Sequence, residues 1–310
     1  MFLFAIVTVP SFGQDTFNVQ NLTPSSLLPV GKWEVKSFNS NYTQIAHFNE
    51  KGERTDNAGG TLYNDDGTVR AEANILRNTF YTSVNQINYG LNSKINVGIE
   101  FWLSSSALSS SEDSRLSSIM FSQTARTRTA MSYIGAKVKF VPISSIPNFS
   151  IQSLFLIPVA KNLQSNQSPQ PFLNWDNYTW TNQFFLDIPL EDKWLLFLNV
   201  DLAWGISRNE SVSEIQGNRF TMSVKVLLNY FANRKLTFLL QGEYNRIWQA
   251  FGNSETRKVD GAYYLQAGPS VKYQLIPGKF EGEVGYNYFL AGNNGQGAGN
   301  SINLGLRMLF

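Results

Sequence analysis

From Trp194 to Trp204 every second residue is large and apolar: Trp194, Leu196, Leu198, Val200, Leu202 and Trp204. The intervening residues Leu195, Phe197, Asn199, Asp201 and Ala203 become polar in the second half of the stretch. A repeat of two is the signature of a β-strand, whose side chains alternate between faces. A helix would scatter the same apolar set around its axis. Phe220 to Tyr230 repeats the arrangement, with Phe220, Met222, Val224, Val226, Leu228 and Tyr230 opposed to Thr221, Ser223, Lys225, Leu227 and Asn229. Ten residues separate Trp194 from Trp204. At about 3.3 Å per residue and about 45° tilt the row climbs roughly 23 Å, close to the roughly 25 Å apolar band of a membrane-spanning barrel. Soluble sandwich strands are usually shorter, about five to six residues.

The same pattern recurs along the chain and predicts twelve strands, near 31–47, 73–89, 94–104, 129–141, 149–158, 178–188, 194–206, 219–231, 235–248, 259–274, 279–290 and 299–310. The connections after even-numbered strands are short, such as Leu91-Asn92-Ser93 and Ala232-Asn233-Arg234. Those after odd-numbered strands are mostly longer and rich in Ser, Asn and Gly, such as Asn49 to Glu72, Ser105 to Arg128 and Lys161 to Asn177. The last of them, Ala291 to Gly299, reads as a flexible uncharged loop. Short turns at one end and long loops at the other predict an all-β fold, a closed antiparallel transmembrane β-barrel of twelve strands. An even count puts both termini on the short-turn, periplasmic side.

Face chemistry separates this barrel from a soluble one. Only 15% of residues are charged, against about 25% in ordinary soluble domains, while 43% are hydrophobic and 14% aromatic. The charged residues collect on the faces opposite the apolar rows: Glu34, Lys36, Glu100, Lys137, Lys139, Asp187, Asp201, Lys225, Glu243, Lys272, Glu281, Glu283 and Arg307. Between them stand Asn85, Asn96, Gln183, Asn199, Gln241, Gln266, Asn287 and Asn303. Each charge would cost several kcal/mol at mid-depth in lipid, so these groups are expected to line the lumen. Trp33, Trp180, Trp194, Trp204, Tyr230 and Tyr263 are expected to form aromatic girdles, where a ring meets lipid and its N–H or O–H meets water.

The first residues, MFLFAIVTVPSFGQD, run apolar from Phe2 to Val9 and reach a small-x-small pattern at Ser11-Phe12-Gly13. Residues 1–13 therefore read as a secretory signal or its remnant, 14–30 as a periplasmic segment and 31–310 as the barrel. At the other end Ile302, Leu304, Leu306, Met308 and Phe310 alternate with Asn303, Gly305, Arg307 and Leu309. This strand resembles the terminal-strand signature of Gram-negative outer-membrane barrel proteins. The resemblance implies outer-membrane lipid as the surroundings and recognition of Phe310 by the barrel-assembly machinery. Gly31-Lys32-Trp33-Glu34-Val35 and Tyr89-Gly90, followed by Ile95 to Ile99, look similar to transporter-like barrels of Bacteroidota-type bacteria.

Chemistry is sparsely signalled. There is no cysteine, and the single histidine, His47, sits in no recognisable catalytic motif. No His/Cys cluster has metal-ligand spacing and no Gly-rich phosphate loop follows a strand, so no catalytic residue, metal or cofactor is expected. Asp65-Asp66-Gly67 reads as a turn. With 25 basic and 23 acidic residues dispersed along the chain, nucleic acid is not an expected partner. Passage of small polar solutes is the expected function; the contrasting one is adhesion, assembly or envelope structure through the long loops. Residues around Phe17 to Leu28 or a folded loop are candidates to plug the lumen.

Overall fold

A chain crossing hydrocarbon must satisfy every backbone N–H and C=O internally, and a sheet achieves that only by closing on itself. The computed structural model describes residues 23, 25–56, 58, 77–109, 119, 127–160, 177–207, 218–250 and 258–310. Within it the strands are β1 (Trp33–Phe48), β2 (Arg54–Thr55), β3 (Arg77–Asn92), β4 (Ile95–Ser109), β5 (Thr127–Phe140), β6 (Phe149–Pro158), β7 (Asn177–Glu191), β8 (Trp194–Ser207), β9 (Arg219–Phe231), β10 (Leu236–Ala250), β11 (Lys258–Ile276), β12 (Phe280–Gly292) and β13 (Gly297–Leu309). Each long strand pairs antiparallel with its long neighbours in sequence, and β13 pairs back onto β1 from Glu34↔Leu309 to His47↔Gly297. The result is an all-β, closed, antiparallel, twelve-stranded transmembrane barrel, with β2 a two-residue addition to the end of β1.

The turns follow the sequence with two adjustments. Strands β3 and β7 run on through Asn92 and Glu191, leaving only Ser93–Lys94 and Asp192–Lys193 as turns. The Gly-rich stretch 291–299 is no loose loop: β12 continues to Gly292 and β13 begins at Gly297. Between them Asn294 and Gly295 have φ of 52° and 79°, and Gln296 N–H donates to the Asn293 carbonyl at 3.0 Å. Positive φ at both central residues is what a type I′ hairpin turn requires, and Asn-Gly supplies it at least steric cost. The turn is also tied to the end of β1, because Gly295 N–H donates to the Phe48 carbonyl at 2.8 Å.

Register fixes which side chains share a face. Trp33, Val35 and Ile99 are exposed, as are Ile134, Phe155, Trp180, Val226, Leu240, Val284 and Ile302. Glu34, Glu100, Lys137, Asp187 and Glu281, one residue out of phase with such neighbours, are buried. One polar residue changes sides relative to the sequence reading. Asn85 is opposite Ser37 and Phe101, in phase with Tyr89 and Ile87, and therefore lies on the outer face; Gln86, its neighbour, faces in and bonds Glu100. The residue type of Asn85 suggests the interior, but register from Trp33↔Tyr89 to Ser37↔Asn85 sets it on the face of Trp33.

Outward aromatic rings collect toward both ends. Near the short turns Trp33 packs on Tyr89 and Trp194 on Tyr230, with centroids 4.6 and 4.7 Å apart. Toward the long loops a row crosses four strands, Trp180–Trp204–Phe220–Trp248, with successive centroids 5.3, 5.3 and 5.4 Å apart. Tyr244 and Tyr263 continue it at 6.0 Å. Leu198 lies on the outer face of β8 between the two levels. Leu198→Arg is expected to lower unfolding free energy by about 2–4 kcal/mol in a bilayer, read from denaturant unfolding of vesicle-inserted protein.

Candidate functional site

Alternation alone delivers polar side chains to the interior; register then brings particular ones together. Glu34 of β1 is opposite Asn88 of β3, and Lys36 is opposite both Gln86 of β3 and Arg307 of β13. Glu34 Oε1 accepts from Arg307 Nε at 2.6 Å, while its Oε2 accepts from Lys36 Nζ at 3.0 Å and Asn88 Nδ2 at 2.9 Å. One strand further round, Glu100 Oε2 accepts from Lys137 Nζ at 3.3 Å and Gln86 Nε2 at 2.9 Å. Its Oε1 accepts from the Trp102 indole at 2.6 Å. Glu34 and Glu100 are 3% and 2% exposed, so three donors to each carboxylate replace the water that burial removes.

The chain before β1 turns into this interior. Gly31, with φ of 78°, adopts a backbone that side-chain-bearing residues rarely take, and its N–H donates to the Gly90 carbonyl at 2.8 Å. A Cβ at Gly90 would strike the Pro29 carbonyl, so glycine there admits the passing segment. Leu28 is buried, and the Ser26 carbonyl accepts from Lys139 Nζ at 2.7 Å. Thr23 and Ser25 donate their hydroxyls to Asp187 Oδ2 of β7. This strap thus reaches from β1 to β7. Thr23, Ser26, Leu28, Glu34, Lys36, Lys137, Lys139 and Arg307 help enclose a cavity of about 40 Å³. That holds a water or a small ion and is far below the roughly 300 Å³ of a drug-sized pocket.

A second polar group lines β7 to β11. Lys225 Nζ lies 3.8 Å from Asp201 and 3.9 Å from Glu243. Asp201 Oδ1 accepts from Gln183 at 3.0 Å and Asn199 at 2.6 Å. Glu243 accepts from Ser223 at 2.9 Å, Gln266 at 2.8 Å and Tyr264 at 3.3 Å. Lys272 and Glu283 pair at 3.5 Å, and Glu281 is buried opposite Arg307. The thirteen charged candidates therefore fall into two assemblies, around Glu34 and around Lys225, with Lys272–Glu283 apart and Asp187 held by the strap. Phe310 exchanges backbone hydrogen bonds with Trp33 at 3.0 and 3.3 Å. His47 stands opposite Gly297 and Thr55.

Sequence reasoning did not single out Gln86, Asn88, Trp102, Thr23 or Ser25. Trp102 stands two residues from Glu100 on the same predicted strand, and Gln86 and Asn88 alternate with Ile87 and Tyr89, so parity within each strand would have found all three. The hydroxyls of Thr23 and Ser25 carry no such signal, because the strap has no period. Residues 1–13 and Asp65-Asp66-Gly67 lie outside the described residues.

No family model and no curated protein matches the chain. Among solved structures it is similar to an outer-membrane channel from Pseudomonas putida F1, at 13% identity over 93% of this chain and 98% of that one, with a TM-score of 0.63. It is also similar to the β-domain of the Bordetella autotransporter BrkA, at 10% identity over 91% and 100% of the two chains, with a TM-score of 0.52. Likeness at these identities concerns the fold alone, a closed transmembrane β-barrel.

The two kinds of ion pair predict different costs. Glu34→Gln leaves the half-buried Lys36 and Arg307 beside a neutral, buried amide and is expected to destabilise by about 3 kcal/mol. Glu283→Gln breaks a more hydrated pair and is expected to cost less than about 1 kcal/mol. Denaturant unfolding of both variants in the same bilayer checks the ranking.

Proposed function

We propose that this chain is an outer-membrane channel for passive or facilitated passage of small polar solutes, with both termini periplasmic and the strap narrowing the periplasmic mouth. The observation that carries this reading is the contrast between an apolar outer surface and an interior of charges and amides joined across strands. A barrel that served only as an anchor has no need for such a wall, since apolar packing fills a small interior at lower desolvation cost. Twelve strands enclose more room than a packed eight-stranded barrel and less than a sixteen-stranded porin, which fits solutes of modest size.

Among the charged candidates, the wall of β13, β1, β4 and β5 carries four cations (Arg307, Lys36, Lys137, Lys139) and two carboxylates (Glu34, Glu100). The wall from β7 to β12 carries two cations (Lys225, Lys272) and five carboxylates (Asp187, Asp201, Glu243, Glu281, Glu283). A field directed across the lumen orders dipolar or charged solutes and favours them over apolar ones. The residues proposed to line the path need no nucleotide, metal or covalent intermediate to do so.

Planar-bilayer recording on purified protein tests the proposal. Discrete conductance that depends on solute supports it; folded protein that stays silent, with the strap latch removed as well, refutes transport and favours the loop-based role in adhesion or envelope structure. The latch makes a separate prediction. The double variant Lys139→Ala, Asp187→Ala removes both side chains that hold the strap and is expected to raise mean conductance or open time at least about twofold, since three charge-assisted hydrogen bonds are lost. Unchanged currents would exclude the strap as the constriction.

A further inference from the structure

The outer surface is not apolar throughout, and its broadest polar stretch among the described residues lies on β1 and β3. On β1, Val35 is followed on the same face by Ser37, Asn39 and Asn41; on β3, Ile87 is followed by Asn85, Ser83 and Tyr81. Register sets these in three opposed pairs, Ser37↔Asn85, Asn39↔Ser83 and Asn41↔Tyr81. The pairs start two rungs above Val35↔Ile87 and occupy the depth at which β8 presents Leu198, Val200 and Leu202 to lipid and β13 presents Ile302 and Leu304. Amides and hydroxyls at that depth face a medium that offers no hydrogen bonds.

Bonds within the patch meet part of the demand. Tyr81 donates to Asn39 Oδ1 at 2.7 Å, Asn39 donates to Ser37 Oγ at 3.2 Å and to the Leu304 carbonyl at 3.4 Å, and Asn85 donates to Ser83 Oγ at 3.0 Å. A carboxamide has two N–H donors and an oxygen with two lone pairs, so the Asn85 bond to Ser83 engages one donor of that inventory. Beneath the patch the ladders β13–β1 and β1–β3 are continuous from Glu34 to Gln44, which leaves no lateral opening for a solute to leave through the wall.

We propose that this patch is the contact through which two copies of the chain associate side by side in the membrane. The patch carries no charge, and its amides and hydroxyls each both donate and accept. A two-fold axis through it therefore opposes groups that can each donate to or accept from their mates, without bringing like charges together. The small side chains Ser37 and Ser83 let the two walls approach closely, as small and polar residues do where membrane-embedded segments meet. Ile302 and Leu304 of β13 on one side and Phe101 and Leu103 of β4 on the other give the contact an apolar border. This proposal stands independently of what passes through the lumen.

The chain has no cysteine, so single substitutions report proximity cleanly. Full-length Asn39→Cys protein, reconstituted in bilayers and treated with oxidant or a short bis-maleimide, is expected to give covalent dimer at least about tenfold above Leu198→Cys on β8. A second variant, Ser37→Leu with Asn39→Leu and Asn85→Leu, replaces the patch by lipid-compatible side chains. It is expected to keep the heat-modifiable gel shift of a folded barrel while native mass spectrometry moves from two copies to one. Equal cross-linking at both cysteines, a one-copy mass for the unsubstituted protein, or cross-linking of Asn39→Cys to a different protein would overturn the proposal.

Discussion

The hydrogen-bond ladder between the first and last long strands is the interaction on which the rest depends. Every other pair of long strands joins elements that follow one another along the chain, whereas β1 and β13 must find each other across its whole length. Their register, Lys36 opposite Arg307 and Glu34 opposite Leu309, leaves no free sheet edge in hydrocarbon. It also sets the phase of the interior. Glu34, Lys36 and Arg307 meet because the closing ladder places them on adjacent rungs of one face. A slip by one residue would turn the Glu34 carboxylate toward lipid. The buried ion pairs therefore belong to closure as much as to the lumen, and their geometry gives the register a chemical check.

Much of the fold is legible in the sequence because a transmembrane strand is a long, repeated and unambiguous pattern. The strand at 219–231 coincides with β9 and that at 149–158 with β6, since apolar alternation stops where the chain leaves the membrane. Legibility fails where physics is local or lacks a period. The glycines of 291–299 read as a loop from composition, yet Asn294-Gly295 encodes a tight turn through positive φ at two adjacent residues. Likewise Arg54–Thr55 add to β1 within a polar segment that has no alternation of its own.

The interior assemblies were legible as a face and not as partners. Residue type marked Glu34, Glu100, Lys137 and Arg307 as inward, but which carboxylate takes which cation depends on register between strands distant in sequence. Asn85 shows the reverse error: an amide assigned inward by chemistry is carried outward by parity. The exceptions to polar-in, apolar-out are informative for that reason. They show where strand parity overrides residue type.

The strap has a consequence for the order of assembly. It precedes β1, but its seat is built from Lys139 on β5 and Asp187 on β7, which are made only when more than half of the chain has been synthesised. A segment that precedes every strand thus docks only after strands β5 and β7 exist. Until β7 is in place its hydroxyls and carbonyls remain hydrated, so the strap settles onto a wall already built and reports that the first half of the barrel has formed.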